Sequence, residues 1–196
     1  MSGQARPLTE AQSGLWYSQA LDPANPIFNT GQYVELSGPL DLDAFRRAVD
    51  RASAEAEALS LVFRDGPDGP VQALGSAPRL SLVDLSAEDA PEVAARAAIT
   101  AAMKTPADLA RGPIAAQTLY RTGPDRHVWS QQVHHLANDG YGMVMLTRRV
   151  ADLYAAFRAG EADGGRPFGA LETVWAEDDE YRASARREQD RAWWME

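Results

Sequence analysis

Within seven residues, His134-His135-Leu136-Ala137-Asn138-Asp139-Gly140, the chain places two imidazoles, a carboxylate and a glycine. The whole sequence has three histidines, so two side by side single this stretch out. An imidazole titrates near neutrality and can take a proton from an amine or hydroxyl nucleophile. Asp139 and Gly140 suit a tight turn, and a glycine lets backbone come close to a substrate. Adjacent residues of a strand point to opposite faces. If pairing runs to the strand end, one histidine therefore faces a cleft and the other enters the packing behind it. A metal site from His134, His135 and Asp139 needs converging ligands, which that divergence denies. His127 gives no help, because an extended strand puts it about 26 Å from His135 at ~3.3 Å per residue.

Several elements must hold this stretch in place. The apolar-leaning run 126–135 pairs as a hairpin with strand 114–120 across the turn Thr122-Gly123-Pro124-Asp125, delivering the motif at its end. Behind the motif, Met143, Leu146, Thr147, Val150, Leu153, Tyr154 and Phe157 keep a helical period, and that helix is expected to cover the sheet until Gly160 and Gly164-Gly165 stop it. Near the start, Thr9 and Gln12 form a capping box, and Ala11, Leu15, Trp16 and Gln19–Ala20 make a short helix ending before Asp22-Pro23. Strand 33–36 ends at Gly38-Pro39, and Asp41 or Asp43 opens a helix with Phe45, Ala48, Val49 and Ala52 on one face. Residues 59–64 and 71–74 make a hairpin around Gly66-Pro67-Asp68-Gly69, and 80–83 is a further strand. Ser86 and Asp89 precede a helix over 91–103 with Pro91 in its first turn. Residues 171–196 read as one last charged helix, still in period at Trp193-Trp194 with no stop signal after it. Within it, Glu177-Asp178-Asp179-Glu180 is expected to be a solvated face; Leu15-Trp16-Tyr17 is expected in the core.

The composition, 45% hydrophobic and 24% charged over 196 residues, is that of a globular domain with one real core. A formal charge of −9 argues against nucleic acid or an anionic membrane as partner. The absence of cysteine removes thiol nucleophiles, disulfides and thiolate-bound metals, and fits a reducing cytoplasm. With no export signal and no bilayer-length apolar run, the expected location is cytoplasmic.

The spacing His-His-x-x-x-Asp-Gly matches in full the signature of condensation domains of nonribosomal peptide synthetases, and it resembles the shorter His-x-x-x-Asp-Gly of related acyltransferases. Leu8-Thr9-Glu10-Ala11-Gln12-Ser13-Gly14-Leu15-Trp16 resembles the same family's first core motif. The resemblance implies an α/β fold (an α+β two-layer sandwich), a chloramphenicol acetyltransferase-like lobe with a mixed sheet covered by helices. Such domains have two lobes, so residues 1–196 are expected to form the N-terminal one, with the C-terminal lobe absent from this chain. Two sites depart from the pattern. Ser60 stands where the second core motif, Leu-Arg-Thr-x-Phe, carries arginine (Leu59-Ser60-Leu61-Val62-Phe63 here), and Gly14 stands where an arginine is common.

The resemblance further implies amide formation between a carrier-bound acyl or peptidyl thioester and the amine of a carrier-bound aminoacyl acceptor. Both substrates ride on phosphopantetheine arms; no cofactor or metal is bound directly. His135 would act as base or positioning residue, with His134 in support. Asp139 would be structural, paired with an arginine, and Gly140 would sit by the reacting carbonyl. With Ser60 in place, the arginine would have to be Arg64, Arg148 or Arg149. The implied partners are donor and acceptor carrier domains, the second lobe and a neighbouring adenylation domain. Two alternatives stand beside this: a stand-alone acyltransferase using a coenzyme A thioester, and a non-catalytic lobe that docks carriers.

Overall fold

The computed structural model describes residues 5–112, 114–162 and 168–196; Gly164-Gly165 and Pro113 lie outside the described residues. A two-residue strand β1 (Arg6–Pro7) leads into helix α1 (Glu10–Leu21). The capping box forms as expected: the Thr9 hydroxyl accepts the Gln12 N–H, and the Gln12 side chain accepts the Thr9 N–H. The apolar face does not. Ala11 and Ala20 are exposed, and the buried residue of α1 is Gln19. Leu15 and Trp16 pack inward, whereas Tyr17 faces solvent.

Strand β2 (Asn29–Ser37) and helix α2 (Leu42–Glu55) follow, with Asp41 rather than Asp43 capping the helix through the Ala44 N–H. The hairpin is β3 (Leu61–Gly66) with β4 (Gly69–Leu74); Leu59 and Ser60 belong instead to a 3-10 turn over Glu57–Ser60. Strand β5 (Leu80–Asp84) precedes helix α3 (Pro91–Met103), which starts at Pro91 without a side-chain cap, because the residue at the cap position is Ala90; Ser86 bonds to Asp84 instead. Strands β6 (Ala115–Gly123) and β7 (Arg126–His134) form the expected hairpin, and helix α4 (Gly140–Arg158) follows the motif.

The last stretch is two helices, α5 (Leu171–Ala183) and α6 (Ala185–Met195), not one. Ser184 breaks it: its backbone is extended at φ −87°, ψ 151°, and its hydroxyl accepts the Arg187 N–H while donating to the Tyr181 carbonyl. A serine that offers the backbone these bonds competes with the helix ladder, and here it wins. The acidic run is not simply solvated either. Asp178 accepts from the Glu10 N–H and Arg182, and Asp179 pairs with Arg6, so α5 is tied to the beginning of the chain.

There are two sheets. One is antiparallel, in the order β1-β4-β3. The other is mixed, in the order β2-β7-β6-β5, with only the β5–β6 pair parallel. Phe45, Ala48, Val49 and Ala52 of α2 and Met143, Leu146, Val150 and Leu153 of α4 cover one face of the mixed sheet over Leu119, Trp129 and Val133. Ala95 of α3 meets Tyr120 and Val128 on the opposite face, adding a partial third layer to the two expected. A second core joins Leu8, Leu61, Phe63, Ile114, Leu136 and Trp175. Leu136 therefore anchors the motif in that second core, and Ala137 packs against both.

Candidate active site

Pairing persists to the end of β7, where Asn29 lies opposite His134. His134 is 2% exposed and His135 faces solvent, the division the strand geometry requires. The His135 backbone is still tied to its neighbour strand segment, its N–H donating to the Phe28 carbonyl at 2.9 Å.

The surroundings of His134 fix its protonation. The Leu136 N–H donates to Nδ1 at 3.2 Å, so Nδ1 carries no proton. Nε2 then bears the hydrogen and donates it to Gln19 Oε1 at 3.1 Å. The orientation of the Gln19 amide is fixed in turn, because its Nε2 donates to the carbonyls of Asp22 and Asn25. Burial first, and the neighbouring His135 second, lower the pKa of His134 to about 4. This ring is a neutral structural group, and His135 is the exposed imidazole of the motif.

After the strand, the loop turns into α4. Asp139 caps that helix, its Oδ1 accepting the Gly142 N–H at 2.8 Å. Asn138 Oδ1 accepts the Asp139 N–H at 3.0 Å and lies against Gly142, where a Cβ would overlap it. Among the described residues nothing would meet a side chain placed at Gly140, so the first turn of α4 is open there.

None of the three arginines pairs with Asp139. Arg149 makes a bidentate contact with Glu55 of α2, at 2.9 and 3.2 Å, while Arg64 and Arg148 are exposed. Among the described residues Asp139 makes no ion pair, and helix capping is what it does. Ser60 turns inward on its own segment, donating to the Glu57 carbonyl at 2.7 Å.

The capping box and the first core motif place Gln12 within its own helix, but neither it nor Gln19 is brought to the histidine loop by any motif. Gln12 Nε2 donates to the Leu136 carbonyl at 3.2 Å and exchanges hydrogen bonds with Gln72, itself 1% exposed. The available signal was their spacing: seven residues apart, two amides share one face of α1. Beyond the loop, an apolar cavity of about 390 Å³ is lined by Leu59, Ala137, Tyr141, Met145, Phe168 and Val174, among others. Among the described residues no cluster of carboxylates and imidazoles converges as a metal site, and no helix is long and apolar enough to cross a membrane.

Comparison with known proteins agrees with this geometry. The sequence model of the Condensation domain family matches residues 3–196. The chain is 39% identical over 191 residues to a dimodular nonribosomal peptide synthase of Bacillus subtilis, covering 96% of this chain and 8% of that protein. It is 39% identical over 194 residues to an isonitrile lipopeptide synthase of Streptomyces coeruleorubidus, covering 97% and 13%. The starter condensation domain of rhizomide synthetase superposes with a TM-score of 0.90 at 33% identity, over 98% of this chain and 49% of that one. A variant of that domain has been solved in complex with C8-CoA. The chain thus spans a small part of the curated relatives and about half of the solved domain.

Proposed function

The chain belongs to the Condensation domain family, and from that premise we propose that it supplies the His-bearing N-terminal lobe of an amide-forming condensation domain within a nonribosomal peptide synthetase. The observation that carries this is the split of the histidine pair: His134 is locked neutral inside, and His135 is exposed just past the end of β7, in the loop that leads to Gly140.

In this reading an acyl or peptidyl thioester arrives on the phosphopantetheine arm of a donor carrier, and an aminoacyl thioester arrives on that of an acceptor carrier. The acceptor nitrogen attacks the donor carbonyl, the C–S bond breaks, and the donor thiol leaves with a proton. His135 either takes the proton from the attacking nitrogen or holds the amine in line. Gly140 leaves room for the reacting carbonyl, and Asp139 serves by capping α4. The thioester is already activated, so the step needs no nucleotide. A second lobe, the two carriers and an adenylation domain are the partners this requires.

Amide formation by the complete synthetase with both carriers loaded tests the reading. At matched folded fraction, His135→Ala is expected to lower product formation about 10²–10⁴-fold, the usual worth of general acid–base catalysis. Wild type that binds carriers yet makes no amide would leave a docking lobe. The C8-CoA complex of the rhizomide synthetase domain favours one further reading, in which a coenzyme A thioester is itself the donor. Product from acyl-CoA with the donor carrier left unloaded would establish it.

A further inference from the structure

Four bonds among the described residues bracket His135, and two of them lead to α1. Its own N–H is held by the Phe28 carbonyl, and the Ala137 N–H closes a turn over it on the His134 carbonyl. The next residue is gripped on both of its peptide groups: the Leu136 N–H by His134 Nδ1, and the Leu136 carbonyl by Gln12 Nε2. His134 can accept at Nδ1 only while Nε2 holds the hydrogen, and Gln19 Oε1 is the acceptor that keeps it there. Gln19 cannot turn its amide over without losing the bonds to Asp22 and Asn25. Gln12 has the same rigidity, because its Oε1 accepts from Thr9 and Gln72.

We propose that Gln19 and Gln12 of α1 are positioning residues for His135, acting through the two peptide groups that flank Leu136. The proposal rests on His135 being the working histidine. Gln19 acts at one remove, by selecting the His134 tautomer that accepts the Leu136 N–H; Gln12 acts on the carbonyl directly. Both amides are committed to groups of the protein itself. Without them Leu136 keeps its apolar seat and the turn bond from the Ala137 N–H to the His134 carbonyl, but the two peptide groups beside it lose their side-chain partners, and the imidazole one residue earlier shifts with them. A displacement of about 1 Å at a reacting group costs on the order of a hundredfold in rate.

The test compares wild type, Gln19→Leu, Gln12→Met and the double variant in the complete synthetase at matched folded fraction. Gln19→Leu is expected to lower kcat about tenfold to a hundredfold while KM for either carrier stays within about twofold, because orientation is lost and binding is not. Gln19→Glu keeps an acceptor for the His134 Nε2–H and is expected to recover most of the rate at about pH 8, where the imidazole stays neutral. Since both amides act on one residue, Leu136, the double variant should lose less than the product of the single losses. A kcat for Gln19→Leu within about twofold of wild type, or independent multiplying losses, would overturn the proposal. A crystal structure of the Gln19→Leu protein gives a readout without turnover: an unmoved Leu136 peptide and His135 ring also overturn it. Wild type that makes no amide counts against the proposed function, while that structure still decides whether the amides hold the loop.

Discussion

At the scale of single residues, the motif divides its labour by burial. His134 has a pKa near 4 against an ordinary 6.5, so the unfolded chain binds its proton more readily than the native one. The sign follows: stability from this residue is complete above about pH 6.5 and is lost as pH falls toward 4, by an amount on the order of 3 kcal/mol at most. His127, buried at the far end of β7, has its pKa lowered by burial and by Arg121 and adds to the same acid sensitivity. Denaturant titrations between about pH 7 and 4 should show a shallower slope in His134→Gln than in wild type. Equal slopes would mean that His134 is not the buried neutral group described. The two glycines of the loop should part company as well. Gly142→Ala drives a methyl into Asn138 and is expected to destabilise the protein by about 1–3 kcal/mol. Gly140→Ala meets nothing in this chain, so its melting point should hold while amide formation falls.

At the scale of elements, α2 and α4 are joined by a buried ion pair as well as by the apolar core. Burial works to raise the Glu55 pKa, but hydrogen bonds from Arg149 and Arg51 outweigh it and leave the carboxyl below its ordinary value. Arg149→Met removes one of the guanidinium groups that hold Glu55 and leaves Arg51 on it, so it is expected to cost about 2–3 kcal/mol in unfolding free energy, less than the ~3–5 kcal/mol of a buried charge left with no partner. The loss should be largest near neutrality and shrink in acid, as Glu55 takes up a proton. A loss below ~1 kcal/mol would show that the pair contributes no more than a surface bridge. This pair also accounts for Arg149 in a way that leaves Asp139 to cap α4 instead.

At the scale of the molecule, the seven-residue motif sits at the seam of two cores. Ala137 touches both, and α1 and α5 reach the loop from the side of the three-stranded sheet. Two of the helices carry exposed apolar groups: Tyr141 at 75% and Val144 at 59% on α4, directly after the motif, and Trp193 at 67% and Trp194 at 78% on α6. The tryptophans meet edge to face, 4.7 Å apart, without entering either core. Since the chain spans about half of the solved domain it resembles, we expect the 196 residues alone to form amide at less than about a hundredth of the rate of the complete synthetase, for want of the second wall that orients both arms. Full-rate turnover by the isolated chain would refute that.

Much of this molecule was determined by the sequence alone. Periodicity, caps and turns placed the strands and helices because those signals are local: Thr9 with Gln12, Pro91 at the start of α3 and the turn between β6 and β7 each act within a few residues. The motif was equally legible, and so was the opposition of its two histidines, since neighbours on a strand point to opposite faces; which of them is buried was not set by alternation, because β7 is covered on both faces. What depended on distant partners was not. The inward amide of Gln19, the Leu136 carbonyl held by Gln12 from 124 positions away, and the choice of Glu55 over Asp139 by Arg149 all needed the chain to be folded. Polar side chains carry no periodic signal that names their partner, and a buried hydrogen bond is satisfied by whichever group the packing of the cores brings within reach. Only the tertiary structure, by closing two cores on one loop, decided which those were.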